Sequence, residues 1–144
     1  MSLEIKVVDK DYVNQTWPLV EKYISEALTS SPDFPDWSAN YTTEHVRAFL
    51  AAGNWLLIVA VDEEESVHGA CTVSFINYPL HRVAFITSIG GKLVSSKDTF
   101  EQLKRILQSY GATKIQGYGR ESIVRLWRRL FGFEARNTLV EVRL

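Results

Sequence analysis

The chain has 144 residues, about one domain's worth of length, and its 46% hydrophobic and 23% charged content excludes a disordered chain. The formal net charge of -1 argues against a wholesale nucleic-acid binder. That total hides a split: residues 1–90 hold 5 Lys/Arg against 12 Asp/Glu, a net of -7, while residues 91–144 hold 11 against 5, a net of +6. Two opposed charged surfaces on one domain, 1–144, are expected.

Glu4 to Val8 reads as a short strand. Thr16-Trp17-Pro18 is expected to open a helix, because proline suits the first turn, where its missing N–H is not needed. Val20, Tyr23, Ile24, Ala27 and Leu28 form its apolar face. Residues 29–41 make a thirteen-residue loop with Asp33, Asp36, Phe34, Trp37 and Tyr41. Thr42 or Thr43 caps a second helix with Val46, Phe49 and Leu50 inward, and Gly53 stops it.

Trp55 to Val61, Val67 to Tyr78 and Val83 to Ile89 are runs of strand formers. The polar turns between them favour an antiparallel meander. Gly90 to Lys97 is a loop, and Asp98 is the expected cap of a helix through Tyr110 that Gly111 ends. Thr113 to Tyr118 is a strand, Glu121 to Phe131 a helix, and Thr138 to Leu144 a last strand. The order β-α-α-β-β-β-α-β-α-β gives an α+β, three-layer sandwich: a mainly antiparallel mixed sheet flanked by helices.

Cys71 is the single cysteine, so an internal disulfide is excluded and a reducing cytoplasm is expected. It lies in an alternating apolar run, where a small buried hydrophobe is a better reading than a nucleophile. Neither a signal peptide nor a membrane span is visible. His45, His68 and His81 lack metal-ligand spacing, so no metal is expected.

The element order resembles the GNAT (Gcn5-related N-acetyltransferase) fold over essentially the whole chain. That family's late helix carries a motif resembling Asn-x-x-Ala-x-x-x-Tyr, followed by Gly-Phe. Here Ile123 falls at the Ala position, Trp127 at the Tyr position and Arg120 at the Asn position, and Gly132-Phe133 follows after one extra residue. Gly111-Ala112-Thr113-Lys114-Ile115 is a typical helix-to-strand join for the family. Val73–Pro79 and Ile89–Lys92 also look like uncharacterised GNAT-like proteins of tailed phages.

The resemblance implies transfer of an acetyl group from acetyl-CoA to a small-molecule or protein amine. It implies cofactor contacts from Ile89, Gly90, Gly91, Lys92, Ser95, Ser96, Lys97, Arg120 and Trp127. Two departures weaken that implication. The family's phosphate loop resembles Arg/Gln-x-x-Gly-x-Gly/Ala, with glycines that bring backbone N–H groups to the pyrophosphate. Here Asp98 and Phe100 stand at the two small positions. The family tyrosine is thought to protonate the departing thiolate, and the Trp127 indole has only a non-acidic N–H. Tyr118 is the alternative acid and Glu121 a candidate base, alongside His81 and Asp36; for each, a turn or cap role competes.

The aromatics and carboxylates of the long loop (Asp33, Phe34, Asp36, Trp37, Tyr41) suit a cationic acceptor. Arg120, Arg125, Arg128 and Arg129 make a basic helix that suits phosphates or an acidic protein partner. Glu121 paired with Arg125 at i,i+4 is the plain structural alternative. No aromatics interleave with these basic residues, so nucleic acid is not favoured. The short final strand leaves an edge on which a second copy could pair as a homodimer. Two functions from different classes remain open: an N-acyltransferase, or a GNAT-fold binding or structural component that has lost catalysis.

Overall fold

The computed structural model describes residues 2–29, 40–119, 121–142 and 144. Strand β1 (Glu4–Val8) is followed by a 3-10 turn (Lys10–Tyr12) and helix α1 (Val13–Thr29). Helix α2 (Thr43–Ala51) leads into strands β2 (Leu56–Val61), β3 (Val67–Asn77) and β4 (Arg82–Gly91). Helix α3 (Lys97–Ser109), strand β5 (Lys114–Gly117) and helix α4 (Glu121–Phe131) complete the order.

The five strands lie side by side in sequence order. β1 to β4 are antiparallel neighbours, and β5 is parallel to β4. The α3 crossover allows that parallel step, which a tight hairpin could not make. Side chains alternate across the sheet. Leu57, Val59, Val61 and Ala70 face Val13, Trp17, Val20, Ile24 and Val46 of α1 and α2. Ile58, Ala60, Cys71, Val73, Ala84 and Ile86 face Leu103 and Leu107 of α3.

The free edge of β1 is held by α3. The Ile5 amide donates to Gln102 Oε1 (2.9 Å), and Gln102 Nε2 donates to the Leu3 carbonyl (3.1 Å). Arg82 fixes the start of β4. Its guanidinium donates to Asn77 Oδ1 (2.7 Å) and the Tyr110 carbonyl (2.9 Å), and lies 4.3 Å over the Phe75 ring.

Three local expectations change. Pro18 sits inside α1 rather than at its start, because Asp9 caps the preceding 3-10 turn and the helix runs on from Val13. The α3 cap is Ser96, not Asp98; Asp98 is in the first turn, where its charge complements the helix dipole. The expected final strand at Thr138 to Leu144 is absent among the described residues: positions 138–142 follow α4 without joining the sheet. Strand formers alone make no strand when no ladder is offered to them.

Candidate active site

Pairing between β4 and β5 runs from Val83↔Lys114 to Ile86↔Gly117 and stops. β4 continues to Gly91, paired on its β3 side alone. The register jumps from Val73↔Ile86 to Thr72↔Ser88, which leaves Thr87 as an extra residue, a β-bulge. A bulge bends the strand, and from Thr87 to Gly91 the β5 side of β4 is open among the described residues. Along that opening the outer backbone groups of β4 lack a neighbouring strand among the described residues.

The α3/α4 side of the opening is apolar. Ile86, Val94, Phe100, Leu103, Trp127 and Phe133 line a small niche. Phe100 stacks on Phe131 (4.6 Å between centroids), and Phe133 lies 5.1 Å from Trp127. Trp127 is half-buried in this cluster. The α1/α2 side is mixed. Phe85 meets Tyr118 edge-on at 5.2 Å, and Tyr41 meets Trp55 edge-on at 5.2 Å. Burial, and secondarily the neighbouring Tyr118, hold the Tyr41 phenol above its ordinary pKa.

The bulge itself carries a chain of hydroxyls. Thr72 Oγ1 lies 2.7 Å from Thr87 Oγ1 and 2.6 Å from Ser88 Oγ, and Thr87 Oγ1 donates to the Thr72 carbonyl at 2.9 Å. Thr72 and Ser88 are buried. The sequence reasoning missed this group. Its signal was the polar Thr87-Ser88 pair inside an apolar strand, both brought opposite Thr72 by the bulge.

Gly90 and Gly91 have another demand on them. A Cβ on Gly90 would sit 2.7 Å from the Tyr23 carbonyl of α1, and Gly91 has φ +65° with the His68 carbonyl where a Cβ would stand. Helix α1 and the β3 backbone use the closeness that glycine permits. Ile89 pairs with Cys71, on the α3/α4 face. Lys92 is exposed, and its amide donates to the His68 carbonyl (2.8 Å).

Ser95, Ser96, Lys97 and Asp98 are exposed at the α3 N-terminus. Thr99 Oγ1 accepts from the Ser95 and Ser96 amides, both at 3.1 Å, and Ser96 Oγ accepts from the Thr99 amide at 3.1 Å. Thr99 and Ser96 therefore occupy donors that an anion would use. Asp98 accepts from Gln102 Nε2 at 2.9 Å.

Glu121 is exposed at the start of α4, and no ion pair joins it to Arg125 among the described residues. Arg125, Arg128 and Arg129 are exposed. His81 Nδ1 lies 3.0 Å from Thr113 Oγ1 at the opposite end of β4, away from the opening. Asp33, Phe34, Asp36, Trp37 and Arg120 lie outside the described residues. Among the described residues no cluster of metal-ligating side chains is found, and no helix is long and apolar enough to cross a membrane.

No family model matches the chain, and no curated protein matches it. Solved structures do. An acetyltransferase from Trypanosoma brucei is 14% identical with a TM-score of 0.61, covering 99% of this chain and 100% of its own. An aminoglycoside acetyltransferase from an uncultured soil metagenomic sample, in complex with sisomicin, is 14% identical with a TM-score of 0.67, covering 99% and 96%. A predicted acetyltransferase with acetyl-CoA from Clostridium acetobutylicum is 12% identical with a TM-score of 0.64, covering 99% and 96%. The fold is that of the GNAT acetyltransferases.

Proposed function

We propose that this chain transfers an acetyl group from acetyl-CoA to a small amine across the β4/β5 opening. The observation that carries the reading is the bulge at Thr87, where the β4–β5 ladder ends. It leaves strand-type backbone donors and acceptors on β4 for an extended, amide-containing arm such as pantetheine. The same fold in an acetyl-CoA complex and in an aminoglycoside-bound acetyltransferase supports it.

In this reading Ile89, Gly90, Gly91 and Lys92 lie along the arm. Ser95, Ser96 and Lys97 meet the phosphates, joined by Arg120. The acceptor enters on the α1/α2 side by Tyr41 and the loop holding Asp33, Phe34, Asp36 and Trp37, whose carboxylates and rings suit a cation. The neutral amine attacks the thioester carbonyl carbon. The C–S bond of the tetrahedral intermediate then breaks, the sulfur leaves as a thiolate and the amine loses a proton. Tyr118 supplies the proton to sulfur, since the Trp127 indole has none to give at neutral pH. Glu121 takes the amine proton, directly or through water.

A second reading rests on a specific observation: the α3 amides are already capped by Ser96 and Thr99, with Asp98 beside them. That arrangement favours a GNAT-fold binding protein without catalysis, serving an acidic protein partner through its basic half. Calorimetric titration with acetyl-CoA separates the two. Micromolar binding, followed by thiol release with a panel of amines including an aminoglycoside, supports the enzyme. No heat and no thermal shift at millimolar acetyl-CoA sinks it, because a ligand held by the native state must stabilise it.

A further inference from the structure

The sheet has a second concave place, at the end opposite Gly91. There β1 finishes and β2 begins, with Val8 paired to Leu57. A cavity of about 340 Å³ opens at this corner, and Val7, Asp9, Lys10, Trp55, Leu56 and Tyr110 are among its walls. That volume falls within the range of small-molecule sites.

Two of these walls are rings held by other rings. Trp55 stacks on Phe49 (4.8 Å between centroids, 29° between planes) and meets Tyr41 edge-on. Tyr110 stacks on Phe75 (5.9 Å, 22°), which in turn carries the Arg82 guanidinium at 4.3 Å. The bracing fixes both rings in advance, so a flat ligand need not order them on binding. The charges of the cavity wall are engaged elsewhere. Asp9 accepts from the Asp11 amide at 2.9 Å, and Lys10 Nζ lies 3.3 Å from Asp11 Oδ1. A neutral ligand is therefore favoured over an ion.

The backbone supplies the polar partners. β1 is an outer strand, and Ile5 turns its N–H away from β2, to Gln102. Gln102 also holds the Leu3 carbonyl. By the two-residue period of an antiparallel edge, Val7 turns its N–H and carbonyl the same way. No side chain or loop among the described residues takes them. Gln102 closes the edge to an added strand, so what remains at the cavity is one donor and one acceptor on one residue.

We propose that this corner binds a neutral, flat heteroaromatic ring of the nucleobase kind. The ring lies against Trp55 and Tyr110, and its edge places an acceptor on the Val7 N–H and a donor on the Val7 carbonyl. A plain hydrocarbon ring would leave both backbone groups unpaired as it covers them, which costs binding energy. The site is separate from the β4/β5 opening and does not depend on acetyl transfer.

Titration of the isotope-labelled full chain with adenosine, followed by amide and indole NMR, tests it. The Val7 amide and the Trp55 indole should shift in a saturable way, with a dissociation constant below about 1 mM. Purine riboside keeps the ring and loses the exocyclic donor, and should bind at least about ten-fold more weakly. Tyr110→Ala should weaken adenosine by about ten-fold or more, the usual loss for a stacking ring. Tyr110 is 42% exposed, so circular dichroism should show that variant folded. Val7→Pro removes the outward N–H at an edge position that tolerates proline, and should abolish the saturable shift. No shift at roughly 10 mM adenosine, well above the expected constant, overturns the proposal. So do shifts confined to the end of β4 and the start of α3, equal binding of purine riboside, or a folded Tyr110→Ala chain with unchanged affinity.

Discussion

Ser96 and Thr99 cap one another across the first turn of α3, each hydroxyl accepting from the other's backbone amide at 3.1 Å. The reciprocal pair stabilises the helix and occupies donors that, in the proposed reading, would face the pyrophosphate. Ser96→Ala should cost about 1 kcal/mol in chemical denaturation, the usual loss for an N-cap hydroxyl.

Asp98 sets the electrostatics of the same turn. Asp98→Asn removes one negative charge from the α3 N-terminus. If acetyl-CoA phosphates sit there, the variant should bind acetyl-CoA several-fold tighter at low salt, with the gain shrinking as salt screens it. Calorimetry at two ionic strengths checks this; equal affinities would place the phosphates elsewhere.

Gly90→Ala should destabilise the fold by about 1–3 kcal/mol, as overpacking generally does. Its added Cβ would meet the Tyr23 carbonyl at 2.7 Å. Urea midpoints measure the loss. A substitution at Gly90 therefore cannot isolate a cofactor effect, because α1 feels it first.

Tyr118→Phe isolates the proton instead. The ring packs edge-on against Phe85 and is 59% exposed, so the fold should survive loss of the hydroxyl. If Tyr118 protonates the thiolate, kcat should fall by about 10²-fold or more, within the usual range for a general acid, with KM for acetyl-CoA little changed. A variant as active as the parent would remove Tyr118 from that role.

His68 Nε2 lies 2.7 Å from Asp62 Oδ2. That contact first, and then the Ser66 and Glu64 amides, holds the Asp62 carboxyl below the usual carboxylate range. A depressed folded-state pKa adds stability that is present above the unfolded value near 4 and is lost as pH falls through the folded value. Asp62→Asn should therefore be less stable than the parent at pH 7 and approach it as the medium is acidified below the ordinary carboxylate range. Parallel pH curves would show the contact to be inert.

Cys71 is fully buried at the sheet centre, and burial pushes its thiol far above the range where it ionises. A water-soluble disulfide reagent should leave it unmodified in the native protein and label it once urea unfolds the chain. Rapid native labelling would mean that the core opens.

The sequence by itself determined the elements whose cause is local. Helix faces follow from apolar spacing, as at Val20, Ile24 and Leu28, and Gly53 and Gly111 stop their helices by taking positive φ. The charge split and the GNAT-like order were also legible. Tertiary structure decided whatever depends on a distant partner. Thr138 to Val142 has strand-forming residues, yet no strand forms, since a ladder needs a neighbour that sequence spacing does not supply. Thr72, Thr87 and Ser88 come together because a bulge shifts register across β3 and β4, which no periodicity announces. At Gly90 and Gly91, packing sets Tyr23 of α1 and the His68 carbonyl where a Cβ would stand. Local propensity is written residue by residue; register, closeness and open edges exist between segments and are fixed when the segments meet.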